Sequence, residues 1–202
     1  MTRRLGENLQ RELNADPHAS ELWQALQTKK EDRETGHAML AELAASGSSL
    51  AMMYLGAAYL EEALPIDPTH GEEWLRRSAT AGSIEGRVQL SMLYKRQGRW
   101  TEVETELKAL AEQSYAPAME TLGCLIYEGK LGSSSVAEAV NYISHASQHG
   151  HLFAKGRLAY LHRKERLGFR RWAIAQWDCV RGFPVYVRYR MKYSNSDRLR
   201  RI

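Results

Sequence analysis

Small and apolar residues return along this chain in four-residue steps: Gly47, Ala51, Leu55, Tyr59; then Gly82, Gly86, Leu90, Tyr94; then Ser114, Ala118, Leu122, Ile126; then Gly150, Ala154, Leu158, His162. Residues four apart lie one turn above another on the same helical face. Each run therefore predicts a helix whose small residue lets a neighbouring helix come close while the Leu and the aromatic residue fill the space beside it. The runs begin 35, 32 and 36 residues apart, a period of stacked helical hairpins. Ahead of each run stands a second helical stretch with large apolar residues: Met39 and Leu40, Trp74 and Leu75, Leu107 and Leu110, Tyr142 and Ile143. The small residue that opens each run, Gly in three of four, suits the left-handed turn that closes a first helix. Each unit reads helix, tight turn, helix. A lone hairpin leaves its apolar face bare, so the units must stack. The expected fold is all-α, a right-handed α-α solenoid of stacked helical hairpins.

The same periodicity divides the chain. Residues 1–33 read as an N-terminal helical cap, with Leu5, Leu9 and Leu13 at helical spacing, a break over Asn14–Pro17, and Leu22, Trp23 and Leu26 resuming. Residues 34–165 hold about four repeats, at 34–67, 68–100, 101–135 and 136–165. Residues 166–202 form a basic, aromatic C-terminal unit or tail. Its first part carries Trp172, Ile174, Trp177 and Val180 and ends at Gly182, which lies 32 residues after Gly150 and so predicts the turn of a fifth hairpin. The segment beyond Pro184 has two readings. Val185, Val187, Tyr189, Met191 and Tyr193 alternate with polar or aromatic neighbours, the period of a half-buried strand. No second strand candidate exists to pair with it, so a strand here needs another molecule. The repeat register instead favours a helix with Pro184 in its first turn, where a missing N–H costs little. Ser194–Ile202 are expected to fray.

Residues 67–94 carry a family resemblance: Asp67-Pro68, the aromatic Trp74, the paired small residues Ser78-Ala79, Gly82, and Leu90-Ser91-Met92-Leu93-Tyr94. With Leu122-Gly123, Gly129, Gly132, Glu138-Ala139 and Tyr142, this pattern resembles the Sel1-like repeats, relatives of the tetratricopeptide repeats. It covers about residues 34–165. Ser91 and Ala159 stand where that family usually has Gly. The resemblance implies a protein-protein interaction role, often as a scaffold or regulator in bacterial assemblies. Some secreted members pair cysteines within each unit, and this chain does not.

Composition sharpens the picture in one place. The 202 residues carry a net charge of +4, but residues 163–202 hold twelve Lys and Arg against three acids, a balance of +9. That leaves 16 against 21, or −5, in residues 1–162. An acidic body thus precedes a basic end. Phe169, Trp172, Trp177, Phe183, Tyr186, Tyr189 and Tyr193 are interleaved with those cations. No run approaches the ~18 apolar residues of a membrane span or a secretory leader, which predicts a soluble cytoplasmic protein with two free thiols, Cys124 and Cys179.

Signals for chemistry are weak. His145 and His149 are four apart with His151 close by, a spacing that serves metals, but their register positions match solvated ones in the other units (Glu42 and Arg77; Ser46, Ala81 and Gln113). The pairs Glu61-Glu62 and Glu72-Glu73 point apart on a helix and solvate a surface. Gly132-Ser133-Ser134-Ser135 lacks the Lys-Ser/Thr of a phosphate loop and reads as a linker ending in a serine cap. No catalytic, cofactor-binding or metal-binding residue is assigned, and the chain is not expected to be an enzyme.

The expected role is that of a cytoplasmic adaptor holding a protein partner, with an acidic partner matched to the basic end. Arg171, Trp172, Trp177, Arg181, Tyr186, Arg188, Tyr189 and Arg190 are the candidate partner-binding residues, because Trp, Tyr and Arg dominate interface energetics. Nucleic acid is the alternative partner for the same segment, and a solvated terminal cap is the bland reading of it.

Overall fold

The computed structural model describes residues 7–61, 67–132, 135–165 and 169–192, excepting the side chains of 169–172 and 188–192. These residues form α1 (Glu7–Ala15), α2 (Ala19–Glu31), α3 (Arg33–Ala45), α4 (Ser49–Leu60), α5 (Pro68–Thr80), α6 (Ile84–Gln97), α7 (Trp100–Glu112), α8 (Ala116–Tyr127), α9 (Val136–Gln148), α10 (Leu152–Lys164) and α11 (Phe169–Lys192). No strand occurs among the described residues, and 184–192 are helical. The segment expected to fray lies outside them, as do Glu62, Ser133 and Ser134. First helices begin at Arg33, Pro68, Trp100 and Val136, second helices at Ser49, Ile84, Ala116 and Leu152. Both series step by 35, 32 and 36 residues, the spacing of the sequence pattern.

The turns have one geometry. Gly47, Gly82, Ser114 and Gly150 take φ of 103°, 91°, 60° and 83°. After each, the next N–H reaches the carbonyl five residues back: Ser48 to Leu43 at 3.0 Å, Ser83 to Ser78 at 3.2 Å, Tyr115 to Leu110 at 3.0 Å and His151 to Ala146 at 3.0 Å. These bonds satisfy carbonyls that a helix end otherwise leaves open. Glycine adopts such φ without cost, whereas Ser114, the one non-glycine there among the described residues, crowds its Cβ against the backbone.

Side-chain caps start α3, α4, α5, α6 and α9. The Asp32 carboxylate accepts from the N–H of Glu34 and Thr35 at 3.1 and 3.3 Å, and Asp67 from those of Thr69 and His70 at 3.1 and 3.0 Å. Ser48 accepts from the Ala51 N–H at 3.1 Å, Ser83 from Gly86 at 2.9 Å and Ser135 from Glu138 at 3.3 Å. The Ser-rich linker therefore ends in a cap, as its composition predicts. The lead-in departs from a simple hairpin. α2 packs on α3 with Leu22 and Ala25 buried, whereas α1 is tied to two later turns by carboxylates. Glu12 accepts from the Ser83 hydroxyl at 2.5 Å and the Glu85 N–H at 3.0 Å; Asp16 accepts from the Ser48 hydroxyl at 2.7 Å.

The chain forms two compact units, Asn8–Gln97 and the residues from Gly98 onward. In the first, α4 packs on α3 and α5, and α6 packs on α5 and α4. In the second, α8 packs on α7 and α9, and α10 on α9 and α11. Within each unit the second helix of one hairpin thus meets the first helix of the next, the stacking of an α-α solenoid. A Cβ on Gly56 would lie 2.9 Å from Leu75 Cγ, and one on Gly123 2.7 Å from Ile143 Cγ1 and 2.8 Å from the Ala139 carbonyl oxygen. Those approaches explain the Gly of the repeat pattern. Leu40, Leu75, Leu107 and Ile143 from the first helices and Leu55, Leu90 and Leu122 from the second are buried; Leu158 is half-buried.

The predicted turn at Gly182 does not form. α11 continues through Gly182, Phe183 and Pro184 to Lys192. The reason is steric: four residues after the turn position the other units carry Ala51, Gly86, Ala118 and Ala154, all buried, and this one carries Tyr186. A returning helix has no small face with which to close on α11.

Candidate interaction surface

The geometry of α11 follows from its packing on α10. Ala175 is buried and Cys179, Gly182 and Tyr186 are half-buried. The Tyr186 ring meets Phe153 of α10 edge-on, centroids 5.7 Å apart, and stacks on Phe183 at 6.4 Å. Ile174, Trp177, Val180 and Phe183 face water, each about 60 % exposed, and Val185 and Val187 are exposed as well. The Arg181 guanidinium lies over the Trp177 ring at 5.3 Å, a cation-π contact at a wet surface.

The predicted partner-binding residues are thereby divided. Trp177 and Arg181 form one exposed pair. Tyr186, nine residues beyond Trp177, is half a turn out of phase and points to the opposite side of the helix, into the packing with α10. Arg171, Trp172, Arg188, Tyr189 and Arg190 lie on the α11 backbone, with side chains outside the described set. Sequence reasoning misses Phe153 as a wall of this region because it stands beside, not within, the repeating stripe at Ala154. Ile174 and Val180 are legible as apolar, but the repeat register puts them beside the buried stripe, where Met39, Trp74 and Tyr142 are half-buried and Ala45, Thr80 and Gln148 are exposed.

Between α10 and α11 lies an open groove of about 510 Å³ whose walls include Phe153, Tyr160, Cys179, Phe183 and Tyr186. At one end Glu120, whose side chain is 5 % exposed, pairs with Arg157 Nε at 3.4 Å. It also accepts from the Cys124 thiol at 3.4 Å. Burial, reinforced by the Glu120 carboxylate, pushes the Cys124 thiol up to about 12. A thiol so held stays protonated and is a poor nucleophile. Lys164 stands over Tyr127 and Tyr160 at 5.1 and 5.7 Å, while the Tyr127 hydroxyl donates to Glu165 at 2.7 Å.

Elsewhere, Glu72 and Glu73 pair with Arg76 and Arg77, each at 2.9 Å and four residues on. His145 and His149 are exposed and His151 is buried at the start of α10. Among the described residues no three His, Cys, Asp or Glu side chains are placed to share a metal ion, and no helix is long and apolar enough to cross a membrane.

Neither a family model nor a curated protein matches the chain. Solved structures do. A Sel1 repeat protein from Oxalobacter formigenes aligns with TM-score 0.68 at 16% identity, over 83% of this chain and 74% of that one. A protective antigen of uropathogenic Escherichia coli strains, described as displaying an SLR fold, aligns with TM-score 0.68 at 17% identity over 83% of this chain. The present chain spans 39% of that antigen's length. At such identities the likeness is one of fold, and the fold of this chain is that of the Sel1 repeat proteins.

Proposed function

We propose that this protein is a non-catalytic protein-interaction scaffold, an adaptor of the cytoplasm that holds a partner on its stacked hairpins and docks it through α11. The observation that carries this reading is the bare side of α11, where Ile174, Trp177, Val180 and Phe183 stand exposed on one helix. Isolated exposed apolar residues are ordinary, but a group of this size marks an interaction site. The sequence of α11 adds Arg170, Arg171, Arg181, Arg188, Arg190 and Lys192 against Asp178, so an acidic partner is matched in charge and drawn in over a distance. A rigid stack loses little ordering entropy on association. The free thiols of Cys124 and Cys179 suit a reducing compartment.

Affinity capture from the native cell with full-length protein, followed by identification of what co-elutes, tests this. The expected result is one acidic protein, lost when Arg188 and Arg190 are both replaced by Glu while circular dichroism remains helical. Equal capture by that variant rejects the basic surface. Co-elution of nucleic acid alone, falling steeply with salt, replaces the scaffold by the nucleic-acid reading.

A further inference from the structure

The finished hairpins show what belongs beside a first helix. In the first unit α6 packs on both α5 and α4, and Gly86 comes so close to Ser78 and Ala79 that a Cβ there would meet both. α11 stands in the register of a first helix. Ala175 precedes Gly182 by seven residues as Leu75 precedes Gly82, and both are buried. Cys179 precedes Gly182 by three as Ala79 precedes Gly82, and it lines the groove between α10 and α11. Among the described residues no second helix fills that groove, since α11 runs on through Gly182 to Lys192.

The groove is shaped to take a helix face. Phe153, Tyr160, Phe183 and Tyr186 wall it and Gly156 and Gly182 lie along it. A Cβ at Gly156 would find its nearest neighbour, Cys179 Sγ, at 3.8 Å, and one at Gly182 would meet Lys155 Cδ at 3.4 Å, so at Gly156 there is room for an incoming side chain. Val180, Phe183 and Val187 recur at helical spacing and extend the lip as an exposed apolar row. Lys155 and Arg157 also line the groove, with Glu120 already paired to Arg157.

We propose that this groove receives one acidic, amphipathic helix of a partner protein, in the place of the second helix that the fifth unit lacks. The inference rests on the scaffold reading above and narrows it to a kind of partner. The repeat specifies the occupant's inner face, a Gly or Ala at the closest approach followed by Leu and an aromatic at four-residue steps. Lys155 at the groove and the six cations of α11 against one acid specify its edges, Asp and Glu. A second copy of this chain is a poor occupant, because each α11 brings six cations against one acid and the two would repel. An anionic lipid surface would meet the exposed row but not enter a concave groove.

The test titrates full-length protein with a labelled synthetic peptide that keeps the Gly86, Leu90 and Tyr94 stripe of α6 and carries Glu at its outward positions, beside a scrambled peptide of the same composition. The stripe peptide is expected to bind saturably and the scrambled one not. Gly156→Trp, which fills the groove, and Phe183→Asp are each expected to weaken binding tenfold or more, with unchanged melting curves; Phe183→Ala, a milder change, is expected to weaken it about threefold. Absent binding, equal binding of the scrambled peptide, or indifference to all three variants overturns the proposal. Vesicle binding to phosphatidylglycerol that Phe183→Asp abolishes, without peptide binding, assigns the face to lipid. A concentration-dependent dimer that the same variant dissolves assigns it to a second copy. Either outcome overturns the proposal too. If native capture is lost on charge reversal at Arg188 and Arg190 yet is untouched by Gly156→Trp, the scaffold stands and the groove occupant falls.

Discussion

Gly150 and Gly182 begin alike and end differently. Each follows a first helix whose core residue, Ile143 or Ala175, is buried seven positions earlier. At Gly150 the backbone turns, with φ 83°, and α10 comes back on α9. At Gly182 the helix goes straight on, although glycine and proline in a helix interior cost about 1 and 3 kcal/mol relative to alanine. Glycine therefore permits the turn without dictating it. What dictates it is the size of the residue four positions later, Ala154 in one case and Tyr186 in the other, because only the former allows the returning helix to bury its face.

Continuation through Pro184 leaves α11 weak at its middle, since the proline supplies no N–H to the Val180 carbonyl and crowds it. Pro184→Ala should strengthen the helix by up to about 3 kcal/mol, read as a roughly 100-fold gain in amide exchange protection around residues 180–187. A loss of protection would show that the chain turns at this point in solution, and the contrast with Gly150 would collapse.

The repeating hairpins were legible because periodic packing writes itself into periodic residues: the four turn positions and the stripe through Leu55, Leu90 and Leu122 follow from spacing, and the serine cap that ends the 132–135 linker follows from its composition. α11 was legible only in part. Its register to Gly182 could be read, but the failure to turn depends on the volume of Tyr186 against a neighbour that sequence does not display. The groove was hidden for a related reason. Phe153 and Tyr186 lie 33 residues apart and belong to no common pattern, so only the packing of α10 on α11 brings them together. The latch of α1 was hidden as well, since Glu12 and Ser83 are 71 residues apart.

Among the turns that do form, Ser114 is the odd member, and it separates conformational strain from packing. Ser114→Gly should stabilise the protein by about 0.5–1 kcal/mol, the relief of a left-handed non-glycine less the added freedom of the unfolded chain. Gly82→Ala should cost about 1–2 kcal/mol, and purely through the backbone, because a Cβ there has no atom within 4 Å. Urea unfolding monitored by circular dichroism measures both. If Ser114→Gly destabilises instead, the serine side chain is doing something that its φ of 60° does not reveal.

The smallest effect concerns the turns latched by α1. Burial raises the Glu12 carboxyl above its ordinary 4.5, against the opposing pull of its hydrogen bonds from Ser83 and Glu85. Between the unfolded and the raised folded value the folded chain holds a proton that the unfolded chain has released, so stability from this group is full below 4.5 and declines as the pH rises through the folded value. Glu12→Gln keeps one oxygen to accept from the Glu85 N–H and turns its amide NH2 toward the Ser83 hydroxyl oxygen, while removing the buried charge. It should therefore flatten that part of the pH profile and match or slightly exceed the parent's stability at pH 7. Glu12→Ala leaves the N-terminus of α6 without its carboxylate and should cost about 1 kcal/mol at the acid end, less as the pH rises through the folded value of Glu12. Thermal melts of the three proteins from pH 4 to 8 distinguish a latch made by hydrogen bonds from one made by charge: a Gln variant as weak as the Ala variant would mean that the negative charge at the helix N-terminus, and not the acceptor geometry, holds α1 in place.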